Sequence, residues 1–368
     1  MRTEYNPAAL LEGDKREVSA GINYLRVNAD HTSPSGVMTD NQQSDFLLPS
    51  VYYKQQLSSA WAIGVGVNTP FGLASEYEKS APFSYITTGG EINLVNISPN
   101  VAYQVTKSIS IGAGVNYYQS TAKLTQQAPW SFPSTGNPDG ELKVEGSGTG
   151  VGVNSGVLWK INDNQRFGAT YKSEVKVKYS GKDASIENVP FLGGATYKTG
   201  VETSIRFPDI LSMGYGFKPT EKLEIEIGGQ WTNWTDVEKL TITFDQPTAF
   251  LPNNTQRLDW KNSWVGRVGG TYQMNPTWSL AGGYFYDSTP TRESTYTPLV
   301  ADGDHHVFSL GAMYKSGGFS VGIPAVLILQ TGTSHIDNDI TDITTTQNVD
   351  GKYNLLGYQL GLGVKWAF

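Results

Sequence analysis

Apolar and polar residues alternate with a period of two in run after run between Val18 and the C-terminal Phe368, and no 3.6-residue periodicity of useful length interrupts them. In Ile109-Ser110-Ile111-Gly112-Ala113-Gly114-Val115-Asn116-Tyr117 the odd positions are apolar and the even ones small or polar. Trp61, Ile63, Val65 and Val67 alternate with Ala62, Gly64, Gly66 and Asn68, and Leu223, Ile225 and Ile227 alternate with Glu224, Glu226 and Gly228. Such segments are one-sided strands.

The connections sort by length. Short turns fall at Leu57-Ser58-Ser59, Thr106-Lys107-Ser108, Asn162-Asp163-Asn164, Lys218-Pro219-Thr220, Asn275-Pro276 and Ser316-Gly317-Gly318. Long polar or aromatic loops, roughly 30–45, 69–90, 125–140, 180–199, 245–259, 287–305 and 332–352, lie between them. Short turns on one side and long loops on the other are the mark of a transmembrane antiparallel β-barrel, and this alternation predicts an all-β fold of about fourteen strands with both termini periplasmic. A closed ring of that size leaves a lumen to be filled or used.

Trp61, Trp159, Trp278 and Trp366 each sit beside a short turn or the C-terminus, where an aromatic girdle would meet the headgroups. The last strand, Tyr358 to Phe368, is apolar or aromatic at every even position and looks like the signal read by the barrel-assembly machinery. A soluble β-sandwich ending in Phe is the competing reading; sorted loops and strands of spanning length, about 9–11 residues, stand against it.

Composition removes other classes. Cys is absent, so no disulfide, thiolate metal site or Cys nucleophile exists. A net charge of -7 without a basic stripe argues against nucleic acid as a partner. No run of 18 apolar residues occurs, which excludes a transmembrane helix and leaves a barrel open, since a barrel strand shows lipid only every second residue. Met1-Arg2-Thr3-Glu4 is not followed by an apolar segment, so the chain as given shows no export signal peptide.

Several ordered motifs resemble the FadL/TodX family of outer-membrane transporters of long-chain fatty acids and hydrophobic compounds. Asn6-Pro7-Ala8 is similar to the NPA motif that ends the family's lumenal hatch. Asn68-Thr69-Pro70-Phe71-Gly72-Leu73, followed by Glu76-Tyr77, resembles its segment leading into the second outer loop. Ile92 to Tyr103, Ile111 to Val115, Trp231-Thr232-Asn233-Trp234 and Tyr286-Asp287-Ser288-Thr289-Pro290 follow in the family's order. The resemblance implies a fourteen-stranded barrel over residues 16–368, a hatch remnant in residues 1–15, and passive uptake of apolar molecules. Lateral exit into the bilayer would occur at a kinked third strand. It also implies a monomer in bacterial outer-membrane lipid and lipopolysaccharide, without cofactor. Only five residues precede Asn6, so the hatch is expected to be short, as a fragment, a misplaced start or a natural open form.

Gly64 and Gly66, with Asn68 and Pro70 after them, weaken strand pairing and mark the expected kink and gate. Their alternative role is to relieve crowding inside the barrel. Arg206 and Arg267 fall on the lumen face by alternation and could hold a ligand carboxylate, or pair with Glu224 and Glu226 instead. Phe71, Leu73, Tyr77, Phe83 and Tyr85, with Trp130, Phe132, Phe191, Phe250 and Leu251, make the outer loops aromatic and suggest a ligand-binding groove or loop packing. Asp302-Gly303-Asp304-His305-His306 has metal-ligand residue types at no standard spacing and reads as a structural loop.

No nucleophile elbow, zinc-protease motif or phosphate-binding loop occurs, so an enzyme is not expected. Two alternatives to the transporter remain: a non-specific diffusion pore, and a surface lipid hydrolase with His305 or His306 as base.

Overall fold

The computed structural model describes residues 6–42, 44–131, 136–331, 334–337 and 347–368. Fourteen strands cross the barrel wall: β1 (Arg16–Thr32), β2 (Asp45–Gln56), β3 (Trp61–Glu76), β4 (Gly89–Gln104), β5 (Ile109–Ala128), β6 (Gly140–Asn162) and β7 (Gln165–Lys172). The second half comprises β8 (Ile210–Thr220), β9 (Leu223–Thr232), β10 (Ser263–Gln273), β11 (Trp278–Asp287), β12 (Asp304–Ser316), β13 (Phe319–Thr331) and β14 (Gly351–Ala367). Each pairs antiparallel with its neighbours, and β14 returns to β1 from Glu17↔Ala367 to Thr32↔Lys352, which closes the ring. Closure removes the sheet edges that would otherwise be unsatisfied in lipid.

Five of the six short connections lie where the spacing put them, and the sixth falls just after Lys218-Pro219-Thr220, at Glu221-Lys222. In the turn between β12 and β13, Gly317 adopts φ +57, a left-handed conformation that a side chain disfavours. On the opposite end the wall rises above the ring. Val175–Val189 and Ala195–Phe207 form a hairpin that prolongs β7 and β8, and Lys239–Phe244 pairs with it and with Asn254–Arg257.

Alternation decides which face of the wall each residue joins. Ile22, Val65, Val115, Val153, Ile227, Leu310 and Leu360 are exposed on the outside, an apolar band that only lipid would cover. Trp61 packs on Tyr103, Trp278 on Tyr314 and Trp366 on Phe368, with ring centroids 4.6, 5.1 and 4.8 Å apart, at the short-turn end. The expected girdle is therefore present there.

Candidate functional site

The floor of the lumen is the N-terminal turn Pro7–Leu11. Pro at the first position pre-sets its φ, and the Asn6 side chain caps it by accepting from the Ala8 N–H at 2.9 Å. Asn6 Nδ2 also donates to the Val157 carbonyl of β6 at 3.0 Å, so the cap fastens the turn to the wall.

Glycines make the room. A Cβ at Gly112 would run into the backbone of Pro7 and Ala8, and one at Gly156 into the Asn6 side chain. At Gly64 a Cβ would lie 2.5 Å from Leu10, which is fully buried with Ala62 and Ala102. The chain leaves the turn under further ties: Gln56 donates to the Leu11 carbonyl at 2.7 Å, Lys54 to that of Glu12, and Lys160 pairs with the Glu12 carboxylate at 2.7 Å.

Above this floor lies a belt of amides on four successive strands, at Asn68, Asn96, Asn116 and Asn154. Asn96 donates to Asn68 and Asn154 to Asn116, each at 3.1 Å, and all four are buried. Tyr52, Ser98 and Asn100 join them around a small polar cavity over Pro7. Higher still the wall turns apolar, with Leu94, Tyr118, Val175, Val177, Tyr179 and Phe207 packed together and Phe71 and Ile205 against them. Tyr179 keeps its hydroxyl satisfied on Ser120 at 2.7 Å.

The roof is a second cluster from the long loops. Tyr77, Phe83, Tyr296, Val349 and Tyr353 bury one another, with the His31 ring edge-on to Phe83 and tilted against Tyr353. Tyr77 donates to the Pro298 carbonyl at 3.1 Å, tying the second outer loop to the sixth. Burial pushes the Tyr296 phenol well above its usual value.

The wall itself is incomplete at one place. The β2–β3 ladder runs only from Gln56↔Ala62 to Val51↔Val67, although β2 continues to Asp45 on β1 and β3 continues to Glu76 on β4. At that level β3 carries an extra residue: its register with β4 shifts between Asn68↔Asn96 and Phe71↔Leu94, across Thr69 and Pro70. Pro70 has no N–H to offer a ladder. The two strands meet again above, where Gln42 N donates to the Glu76 carbonyl at 2.6 Å and Glu76 N to the Asn41 side chain at 2.9 Å. Among the described residues, 45–50 and 68–75 thus face each other without ladder bonds, a window that opens beside the amide belt and the apolar wall.

Several expected positions need correction. Gly64 and Gly66 do not break the strand: both are paired on β2 and β4, and their missing side chains make room for Leu10 and the Tyr52 ring. The register break falls two residues further on. Arg206 is not lumenal, because Ile205 and Phe207 take the inner face, Phe207 stacking on Phe71 at 5.2 Å. Arg206 points the other way, to Glu174 at 3.4 Å. Arg267 does face inward and donates to Gln230 at 3.0 Å, while the inner Glu224 and Glu226 are bridged by Arg166, which periodicity alone did not single out.

Tyr77 and Phe83 are loop core, and so is Trp130, which bonds the Glu187 carbonyl at 2.8 Å and packs on Phe250. Phe191 is 79% exposed and stacks on Phe250. The side chain of Leu73, and Phe132, lie outside the described residues. His305 and His306 occupy opposite faces of β12. His306 accompanies Tyr284 and Tyr286 outside, and His305 lies 3.7 Å from Asp302, whose carboxyl burial pushes above the ordinary carboxylate range.

The amide belt went unread in the sequence. Each Asn sits at an unremarkable even or polar position, and only the register of four strands lines them up.

A closed fourteen-stranded antiparallel barrel with an apolar outer band, an aromatic girdle at the short-turn end and an N-terminal turn packed against the inside of its wall has the architecture of an integral outer-membrane protein. The chain belongs to the outer membrane protein transport family described as OMPP1/FadL/TodX, whose family model matches residues 2–368. It is 26% identical to outer membrane protein P1 of Haemophilus influenzae, with 84% of this chain and 76% of that protein covered. It is 23% identical to the long-chain fatty acid transport protein of Escherichia coli K12, covering 86% and 80%. Its fold matches a FadL homologue of Pseudomonas aeruginosa with a TM-score of 0.85 at 19% identity, over 99% of this chain and 93% of that one. The Ralstonia pickettii toluene transporter TbuX gives 0.76 at 15% identity, over 100% and 93%. The family is described as one of outer-membrane transport proteins, and two of these relatives are named as transporters, so the chain belongs with transport proteins rather than enzymes.

Proposed function

We propose that this barrel takes hydrophobic small molecules, fatty-acid chains or aromatic hydrocarbons, from its outer loops into the apolar upper lumen and releases them sideways through the β2–β3 window into the bilayer. The observation that carries this reading is the juxtaposition at Asn68 and Phe71: a polar belt below, an apolar wall above and an unpaired stretch of wall beside them. An apolar ligand pushed down past the amides toward the periplasm would lose about 0.8 kcal/mol of burial for each CH₂, whereas the same ligand moving sideways stays out of water. The turn Pro7–Leu11 closes the downward route in any case.

Phe71 lines the path, and Arg267 is the remaining inward candidate for a ligand carboxylate. Tyr77, Phe83 and Trp130 hold the loops that shape its mouth. Asn6, Pro7 and Ala8 act as the hatch. The names of the relatives divide between fatty acids and an aromatic hydrocarbon.

Binding to the purified barrel of a long-chain fatty acid and of an alkylbenzene, by displacement of a fluorescent apolar probe, separates the two ligand classes. Lateral exit is tested with Ser50→Cys and Asn68→Cys together, the rung above Val51↔Val67, in a chain that has no other cysteine. Oxidation should abolish ligand delivery into vesicles while saturable binding persists, and reduction should restore it. Delivery that continues through the oxidised barrel would overturn the lateral route. A large steady conductance in planar bilayers would favour the diffusion pore.

A further inference from the structure

The outer face of the hairpin above β7 and β8 carries a cationic row that the transport reading does not use. Lys176 lies directly opposite Arg206 in the register of that hairpin, and Lys239 directly opposite Arg257 in the next. The ladder between the two hairpins runs from Val201↔Phe244 to Thr203↔Ile242, and its direction carries Lys239 toward the level of Arg206, so the two cation pairs lie side by side on four neighbouring strands. At the usual strand separation the row is about 15 Å long. Lys178 stands one outward position above Lys176.

All five side chains face away from the lumen, because the intervening Val175, Val177, Ile205, Phe207, Leu240 and Ile242 turn inward. Glu174 offsets Arg206 and Asp259 offsets Arg257, while Glu202 lies two outward positions above Arg206. Lys176, Lys178 and Lys239 have no carboxylate within ion-pair distance among the described residues.

Like charges directly opposed across a ladder destabilise it, and here two such pairs are aligned. Their height supplies the reason. Continuing the β6 register from Thr149↔Lys178 brings Lys176 level with Val151, which is 64% exposed and tops the outward apolar band. The row therefore sits where hydrocarbon ends and headgroups begin, with lipid covering the surface beneath it.

The geometry points to a binding site for a phosphorylated headgroup of an outer-leaflet lipid, held by Lys176, Lys178, Arg206 and Lys239. A row of this length suits a headgroup with two separated phosphates, and the acyl chains would lie on the apolar band around Val151 and Val153. Phosphate oxygens accept from each ammonium and from the Arg206 fork, and relieve the repulsion across both pairs.

The test uses the full chain, refolded in a neutral detergent, and titrates a bis-phosphorylated glycolipid and its dephosphorylated counterpart while bound lipid is read by native mass spectrometry. The wild type should retain the phosphorylated form selectively. Lys176→Gln, Lys178→Gln and Lys239→Gln together should weaken that retention by about a hundredfold, at about fivefold for each lysine. Lys352→Gln, an exposed position on β14, should leave retention unchanged, and resistance of the folded barrel to heat in gel electrophoresis shows that each variant is intact. Equal retention of both lipids, or undiminished retention by the triple variant, would overturn the proposal. Displacement by millimolar inorganic phosphate at equal affinity would reduce the site to a free-anion site and overturn it as a lipid site. Saturable ligand binding in the lumen is read separately and does not depend on these outward residues.

Discussion

Gly112 is placed by the plug and not by a turn: the backbone of Pro7 and Ala8 occupies the space of its absent side chain. Gly112→Ala should therefore unseat the N-terminal turn, at a cost of about 1–3 kcal/mol of local stability from overpacking against backbone. Its effect should appear as raised single-channel conductance and faster proteolysis of the N-terminus, with the barrel otherwise heat-resistant. Gly266, which has open space around it, is the control whose Ala variant should do neither. Alternation showed that Gly64, Gly66 and Gly112 face inward, yet not what fills the space before them. A glycine that relieves crowding and one that weakens pairing look the same in sequence. Asp302 shows the same limit: its type was visible, its burial was not. Because burial raises its carboxyl above the ordinary value, the folded loop binds the proton more readily than the unfolded chain does. The ionised form thus costs stability at neutral pH, and the cost fades as pH falls through the raised value. Asp302→Asn, which keeps an acceptor for Thr289, should slow hydrogen exchange in 288–303 at pH 7.5, with the advantage over wild type shrinking as the pH is lowered.

Strands were the most legible elements, since a period of two survives wherever one face meets lipid and the other does not. Arg206 was misplaced because alternation takes the apolar neighbours Ile205 and Phe207 as lipid-facing, whereas in the hairpin above the ring they pack inward on Phe71 and leave Arg206 outside. The bulge at Thr69 and Pro70 shifts every residue after it, placing Phe71 inside although Val67 lies outside. A one-residue slip of this kind reverses both faces of a strand. Deleting Thr69 should remove the extra residue, leave Phe71 inward opposite Leu94 and restore ladder bonds toward β2. Ligand delivery into vesicles should fall while folded yield is kept; unchanged delivery would show that the bulge does not hold the window open.

At the scale of the whole molecule the ring is closed by β14 on β1, and Phe368 N still donates to the Arg16 carbonyl at 3.1 Å, the last bond of the seam. Removal of Phe368 should lower the yield of folded barrel in the outer membrane, measured as the heat-modifiable fraction, more than it lowers the stability of barrels already closed. The plug, by contrast, belongs to one side only. Among the described residues, Asn6 to Glu12 bond or pack against β2 through β6, strands consecutive in sequence, and not against β8 through β14. A nascent sheet of the first six strands therefore already holds every anchor the hatch needs. The stopper can be seated while the barrel is still an open trough, so that the membrane would never face an unplugged cylinder during assembly.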